Sequence, residues 1–524
     1  MKSIRLTRAI IFVVALCVMP GAVHAEWWEA RTDHFIVITE DTEANARAYA
    51  ERMERYDGAL RTLQNMAPQK SDIGDANRVT IYRFGTTDDI GRLAGSYGVA
   101  GFYLPRAGEP TAFSPIRESR ETGSLERNTS YDPTRMDAES VLKHEYVHHF
   151  MLYNFPASYP GWYTEGFAEL YATLELREDG SFHVGNPPQY RGYALFNMLI
   201  APTERFFDGD RAASGFDLYQ RYTLGWLLTH YLTFTPGRQG QLPAFLAALG
   251  KGEKSLDAAR RIFGDLGQLD RELRRYLRTE LPGINVKPAN YQLPVVAMRR
   301  IEGAEAATMM QRIEIAAGLS KKEAPAAIRA LEEDSQRYPD SALVWELLGK
   351  ARFAAEDWAG ADAALDRALA IDGNRIEALI YRGCVTSKRA KADPAAAKAR
   401  RPFLVRAARL DQRTPRPLIE YYYSYRAAGE PIPEAAIIGL EDAFGTAAHD
   451  ANYRYLLGMQ LISEGKGSAA KAVLLPISVA LHGIDPKKNK IAEAINLIEA
   501  GKTAEAYTLL KTEEEKREKE AEKE

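Results

Sequence analysis

The C-terminal half of the chain repeats itself at a spacing of about 34 residues, and this restricts its fold more than any other feature. Aligned at that period, Ala327, Ala361 and Ala395 share one column, Leu331, Leu365 and Ala399 a second, and Gly349 and Gly383 a third. Small residues recur where helices must touch. A helical hairpin with one apolar face needs a neighbour to cover it, so the pattern predicts an all-α solenoid of about four hairpins over residues 301–510, with a concave surface. Upstream, Pro282, Pro288 and Pro294 punctuate Leu281 to Val296, which predicts a linker over 282–300. The Glu- and Lys-rich end, 511–524, reads as a solvated, charged tail.

The second unit carries Trp345-x-x-Leu348-Gly349 with Ala361, Leu365 and Ala368, and Pro339 precedes it. This closely resembles the tetratricopeptide repeat. The flanking units match more loosely, and Leu457-Gly458 with Ala470 and Leu474 gives a further partial match out of register. The resemblance implies a surface that recruits a protein partner. The plainer alternative is an array that packs on the N-terminal half and stabilises it.

The chain is otherwise ordinary globular material, 524 residues with 46% hydrophobic and 27% charged content. Its 68 basic and 71 acidic residues argue against a nucleic-acid surface. A mean hydropathy of -0.34 argues against an integral membrane protein. Lys2, Arg5 and Arg8 precede an apolar run from Ala9 to Val18 and the pattern Val23-His24-Ala25, which reads as a signal peptide over 1–25. No membrane span is expected after its removal. Cys17 would leave with it, so Cys384 would be the only thiol of an exported chain, with the periplasm preferred over the extracellular space.

Residues 26–281 open with a strand at His34 to Thr39, a helix from about Thr42 to Asn65 and a strand at Val79 to Phe84. A strand pair is expected near Gly101-Phe102-Tyr103 and Thr111-Ala112-Phe113, and a hairpin turn at Glu178 to Ser181. From Asp137 the pattern turns helical and contains His144-Glu145-Tyr146-Val147-His148, an H-E-x-x-H motif. On a helix the i and i+4 imidazoles share a face and can address one zinc ion, while Glu145 beside them can take a proton from the attacking water. With 9 His in the chain, chance matches are expected on the order of 0.01 times.

A catalytic zinc site needs a third protein ligand. Trp162-x-x-Glu165-Gly166-x-Ala168-Glu169 follows after the Pro156 and Pro160-Gly161 break. From Lys143 to Tyr171 the chain resembles the gluzincins, the thermolysin-like and aminopeptidase-like (peptidase MA-like) zinc metallopeptidases. That resemblance implies an α+β zincin-like catalytic domain over 26–281, with Zn2+ held by His144, His148 and Glu165. It makes Glu145 the general base and Glu169 the carboxylate behind a ligating histidine, with a peptide or protein as substrate. The metzincin continuation fails, because Met151 and Asn154 stand at the required Gly and His positions. No G-x-M-E-N-like element occurs between Gly98 and Asp137, so an endopeptidase is preferred over an aminopeptidase.

The stretch Tyr219 to Tyr231, including Tyr222, Gly225-Trp226 and His230, resembles a helix that follows the zinc helices in bacterial peptidases of this group. Tyr222 is the first choice for stabilising the oxyanion, with His230 and Tyr219 behind it. An aromatic core stripe explains any one of them equally well. His149 points about 100° away from His148 and reads as structural. Two rivals share the motif: a non-catalytic zincin-like scaffold acting through its repeats, and a hydrolase of a non-peptide amide such as a cell-wall crosslink.

Overall fold

The computed structural model describes residues 26–66, 72–96, 99–118, 136–157, 159–197, 201–207, 215–289, 291–479 and 489–521. The expected signal peptide and the last residues of the charged tail lie outside them. The chain is α+β, with an N-terminal sheet and a largely helical C-terminal region.

Five strands open it: β1 (Trp27–Arg31), β2 (Phe35–Thr39), β3 (Val79–Arg83), β4 (Phe102–Leu104) and β5 (Thr111–Ser114). A small separate sheet holds β6 (Glu175–Leu176), β7 (Phe182–Val184) and β8 (Ile284–Val286), and β9 (Ala297–Ile301) returns to the first sheet. The order in the large sheet is β4-β5-β3-β2-β1-β9. Strands β2, β3 and β5 run parallel, and β4, β1 and β9 are each antiparallel to their neighbours. Parallel β2 and β3 need a crossover. It is α1 (Glu43–Leu63), capped by Thr42, whose hydroxyl accepts from the Asn45 amide at 3.2 Å.

Every residue of β2 is buried, because both faces of the sheet are covered. Phe35 and Val37 point into a core with Ala30, Ile81 and Ala112. Ile36 and Ile38 point into another with Tyr82, Phe113, Met309 and Ile313. The first face receives α1 and, after α2 (Thr87–Leu93), the helix α3 (Ala138–Asn154). Helices α4 (Gly161–Ala172), α5 (Gly192–Asn197), α6 (Glu204–Phe207), α7 (Gly215–Phe234), α8 (Gln241–Gly250), α9 (Ser255–Phe263) and α10 (Leu266–Tyr276) complete that side. The second face receives α12 (Met309–Ala317), which follows α11 (Gly303–Ala307).

Two expectations change. Strand β1 is not foreseen, and the segment expected as a linker carries β8 and β9, which pair with β7 and β1. Both β1 and β9 are dense in charge, which hides the alternation of a strand. The charges neutralise one another across the ladder: Glu29, buried in β1, accepts from Arg299 of β9 at 2.5 Å and pairs with Arg31.

Helical hairpins fill the remainder, beginning with α13 (Ala324–Arg337), α14 (Ala342–Ala354), α15 (Trp358–Ile371) and α16 (Ile376–Gly383). The recurring glycines are where successive helices meet. A Cβ on Gly349 would lie 2.6 Å from Leu365 Cγ, on Gly383 2.4 Å from Leu404 Cγ, and on Gly458 2.5 Å from Leu474. The leucine comes at the same interval after Gly349 and Gly458 but later after Gly383, where a short helix, Ser387–Ala392, is inserted. That insertion explains why Ala395 and Ala399, aligned by period, are exposed, while Ala397, Leu404 and Ala407 are buried. The helical region also grips the loop after β4. Arg106 donates to the Ala316 carbonyl at 2.8 Å and the Ala107 amide to the Asp450 carboxylate at 2.8 Å.

Filling one of these glycine contacts overpacks the helix pair, an effect of about 1–3 kcal/mol. Gly349→Ala is expected to lower unfolding stability by that amount in urea titration. Gly445→Ala, where nothing lies within 4 Å, is the control expected to change little.

Candidate metal centre

Helix α3 starts on Asp137, whose carboxylate accepts from the Ser140 amide at 2.8 Å and so satisfies an otherwise open donor of the first turn. Leu142, Tyr146, Val147 and Phe150 hold one side of it against the sheet. The opposite side carries His144 and His148 one turn apart, with their Nε2 atoms separated by 3.1 Å. Phe155, Pro156 and Pro160 end α3 and turn the chain into α4, which brings Glu165 across from both. Its Oε2 lies 3.3 Å from His144 Nε2 and 3.4 Å from His148 Nε2.

These three atoms form a triangle with edges of 3.1, 3.3 and 3.4 Å. An ion bound tetrahedrally at about 2.0–2.1 Å separates its ligand atoms by about 3.3–3.4 Å. The triangle therefore has the size of one face of such a coordination shell. Its electrostatics also call for positive charge between the three side chains. Glu165 is buried yet held well below the usual carboxylate range; burial pushes it up, and the two imidazoles pull it down further. Burial alone would depress His144, but Glu165, Glu169 and Glu145 together raise it to about 9.

Glu169, one turn beyond Glu165, is fully buried and faces His144 Nδ1 at 3.8 Å, longer than a hydrogen bond. Its hydrogen bonds come instead from Tyr190 Oη at 2.8 Å and from Arg191, through Nη2 at 2.7 Å and Nε at 3.1 Å. Tyr222 of α7 stands beside the centre. Its ring centroid is 6.0 Å from that of His144, and the Arg191 guanidinium lies over its face at 4.8 Å. Burial, then the Glu165 charge, push its phenol upward, so it keeps its proton at neutral pH. Glu145 is half-buried, and its charge acts on both His144 and Tyr222.

The structure separates His230 from this group. Its Nε2 meets the Gly185 carbonyl and its Nδ1 the Tyr276 hydroxyl, each at 2.8 Å, with its ring tilted against Trp226. The Tyr219 side chain lies outside the described residues. His149 faces away, with Nδ1 2.7 Å from Tyr103 Oη and its ring against His449. Tyr190 and Arg191 are the site residues that sequence reasoning missed. They reach Glu169 and Tyr222 only through the tertiary fold, from a short 3-10 turn with no fixed spacing to either motif.

A second group, His34, Glu54 and Asp57, also brings ligand-type atoms within 4.8 Å of one another. Its distances are those of an ion-pair network. His34 Nδ1 is 2.6 Å from Glu54 Oε1, and Asp57 already accepts from Arg61 Nε at 2.5 Å and Tyr146 Oη at 2.7 Å. Since Tyr146 neighbours Glu145, this network ties the metal-site helix to α1.

A search against known protein families and curated protein sequences finds no match to the chain.

Helices α4 and α7 touch at the glycines between these side chains. A Cβ on Gly166 would lie 2.2 Å from the Gly225 carbonyl oxygen, and one on Gly225 2.3 Å from that of Trp162. No rotamer relieves a backbone contact. Gly225→Ala is expected to destabilise the fold by at least about 1–3 kcal/mol and to lower metal uptake. Thermal unfolding and metal content of the purified variant check both.

His34 has a pH signature. Burial depresses it, but Asp57 and Glu54 outweigh this and raise it above its ordinary 6.5. Its stabilising contribution is therefore complete below about pH 6.5 and fades as pH rises through the folded value. The stability margin of the natural chain over His34→Gln, followed by urea unfolding against pH, should shrink in that direction.

Proposed function

We propose that the chain is an exported zinc metallopeptidase of gluzincin type, joined to a tetratricopeptide-like helical array. The observation that carries this reading is the triangle of His144, His148 and Glu165, whose edges suit a tetrahedral ion with one corner left for substrate or water. The N/N/O donor set matches zinc, and Glu145 beside it is the group that peptide hydrolysis requires and a purely structural ion does not.

His144, His148 and Glu165 would hold the zinc, which when bound would supply Lewis-acid polarisation of the scissile carbonyl and a water made nucleophilic near neutral pH. The Glu145 carboxylate accepts the proton of the attacking water and passes it to the departing amine. The Tyr222 phenol, protonated and steadied by the Arg191 face contact, donates toward the oxyanion. Glu169, buried behind His144 with Oε1 3.8 Å from Nδ1, favours the imidazole tautomer that would present Nε2 to the ion. Among the described residues, strand β4 is the antiparallel edge of the sheet alongside α3, joined to it by Tyr103 and His149. An extended polypeptide can pair with such an edge, which favours a peptide over a cell-wall amide. The helical array is the surface for a protein partner or for substrate recruitment.

Glu145→Gln is expected to bind zinc at the natural stoichiometry and to lose about 10²–10⁴ in the rate of cleaving an unfolded polypeptide such as casein. Retained zinc with unchanged cleavage would defeat the mechanism. Retained zinc with no cleavage by either protein would favour a non-catalytic scaffold.

A further inference from the structure

On the face of the sheet opposite α3, a cavity of about 550 Å³ opens between the strands and the first helical hairpins. Its size falls within the roughly 300–1,000 Å³ typical of small-ligand sites. Thr80 and Tyr82 of β3 and Thr111 of β5 form its floor, at the strand positions that alternate with those packed under α3. The metal centre does not share it.

Six carboxylates and five cations line this space. They are interleaved on both walls. On the strand side Arg299 joins Glu29 at 2.5 Å and Glu305 at 2.6 Å. On the helix side Lys350 meets Glu377 at 2.8 Å, and Arg375 meets Glu346 at 2.6 Å. Glu346 and Lys350 are 3% and 7% exposed, so neither is a solvated surface charge.

This lining selects among ligands by the cost of leaving a buried charge unpaired. An apolar ligand would strip water from eleven charges and replace none of their contacts. A phosphate or other polyanion would bring further negative charge to a lining that already carries one more negative charge than positive. A ligand bearing both an ammonium and a carboxylate can insert between such pairs and leave each charge compensated. The geometry points to a binding site for a short peptide with free termini, held by its two ends between the back of the sheet and the first hairpins. This site is independent of the peptidase reading and stands or falls separately from it.

The test is isothermal titration of trialanine into the full chain, with chelator present so that the metal centre contributes nothing. The free tripeptide should bind at one site per chain, and its N-acetylated, C-amidated form at least tenfold more weakly. Thr80→Phe narrows the cavity with every charge in place and should abolish binding while circular dichroism shows a folded protein. Ala304→Leu narrows the facing wall and serves the same purpose if Thr80→Phe does not fold. Equal binding of capped and free tripeptide, no binding of the free tripeptide at millimolar concentration, or full binding by a folded narrowed variant would each overturn the proposal.

Discussion

A carboxylate buried between two imidazoles is the constraint on which the N-terminal half turns. Glu165 is 7% exposed and His144 is 5% exposed, so the group has given up most of its hydration. An isolated buried charge is strongly disfavoured, and removal of one partner from such a set is far more costly than its formation is favourable. The three side chains therefore need positive charge at their centre, from a protonated imidazole or from a cation. All three edges, 3.1, 3.3 and 3.4 Å, lie close to the separation of two ligand atoms on one tetrahedral ion.

The surrounding structure fixes that spacing from several sides. Gly166 and Gly225 let α4 and α7 approach until backbone meets backbone, which brings Glu165 and Tyr222 toward the same centre. Tyr146 ties α3 to the Asp57 network on α1, and Arg191 joins Glu169 to the face of Tyr222. Each of these contacts crosses between elements that are distant in sequence. The same sheet separates this centre from the charged cavity behind it, so the two faces carry different chemistry on one set of alternating strand residues.

The local parts of this arrangement were legible in the sequence. The i, i+4 histidines and the E-G-x-A-E run lie within single helices, where spacing alone decides which side chains share a face. The strands at 35–39 and 79–83 announced themselves through short stretches rich in β-branched and aromatic residues. The rest depends on partners that spacing cannot reveal. Two of the five residues of strand β9 are arginine, and it becomes a strand because Glu29 of β1 waits across from Arg299. His230 shares a helix with Tyr222 yet turns toward Gly185 and Tyr276, and Arg191 enters the site from a turn with no motif of its own. In the helical region the 34-residue period held for Gly349 and failed after Gly383, where an inserted helix displaced the contacting leucine.

X-ray absorption at the zinc edge of the purified protein addresses the central claim most directly. The account predicts one zinc per chain with two imidazole nitrogens, a carboxylate oxygen and one exchangeable oxygen at about 2.0–2.1 Å, and loss of that shell in Glu165→Ala. A protein that retains no zinc, or a shell without imidazole scattering, would contradict it.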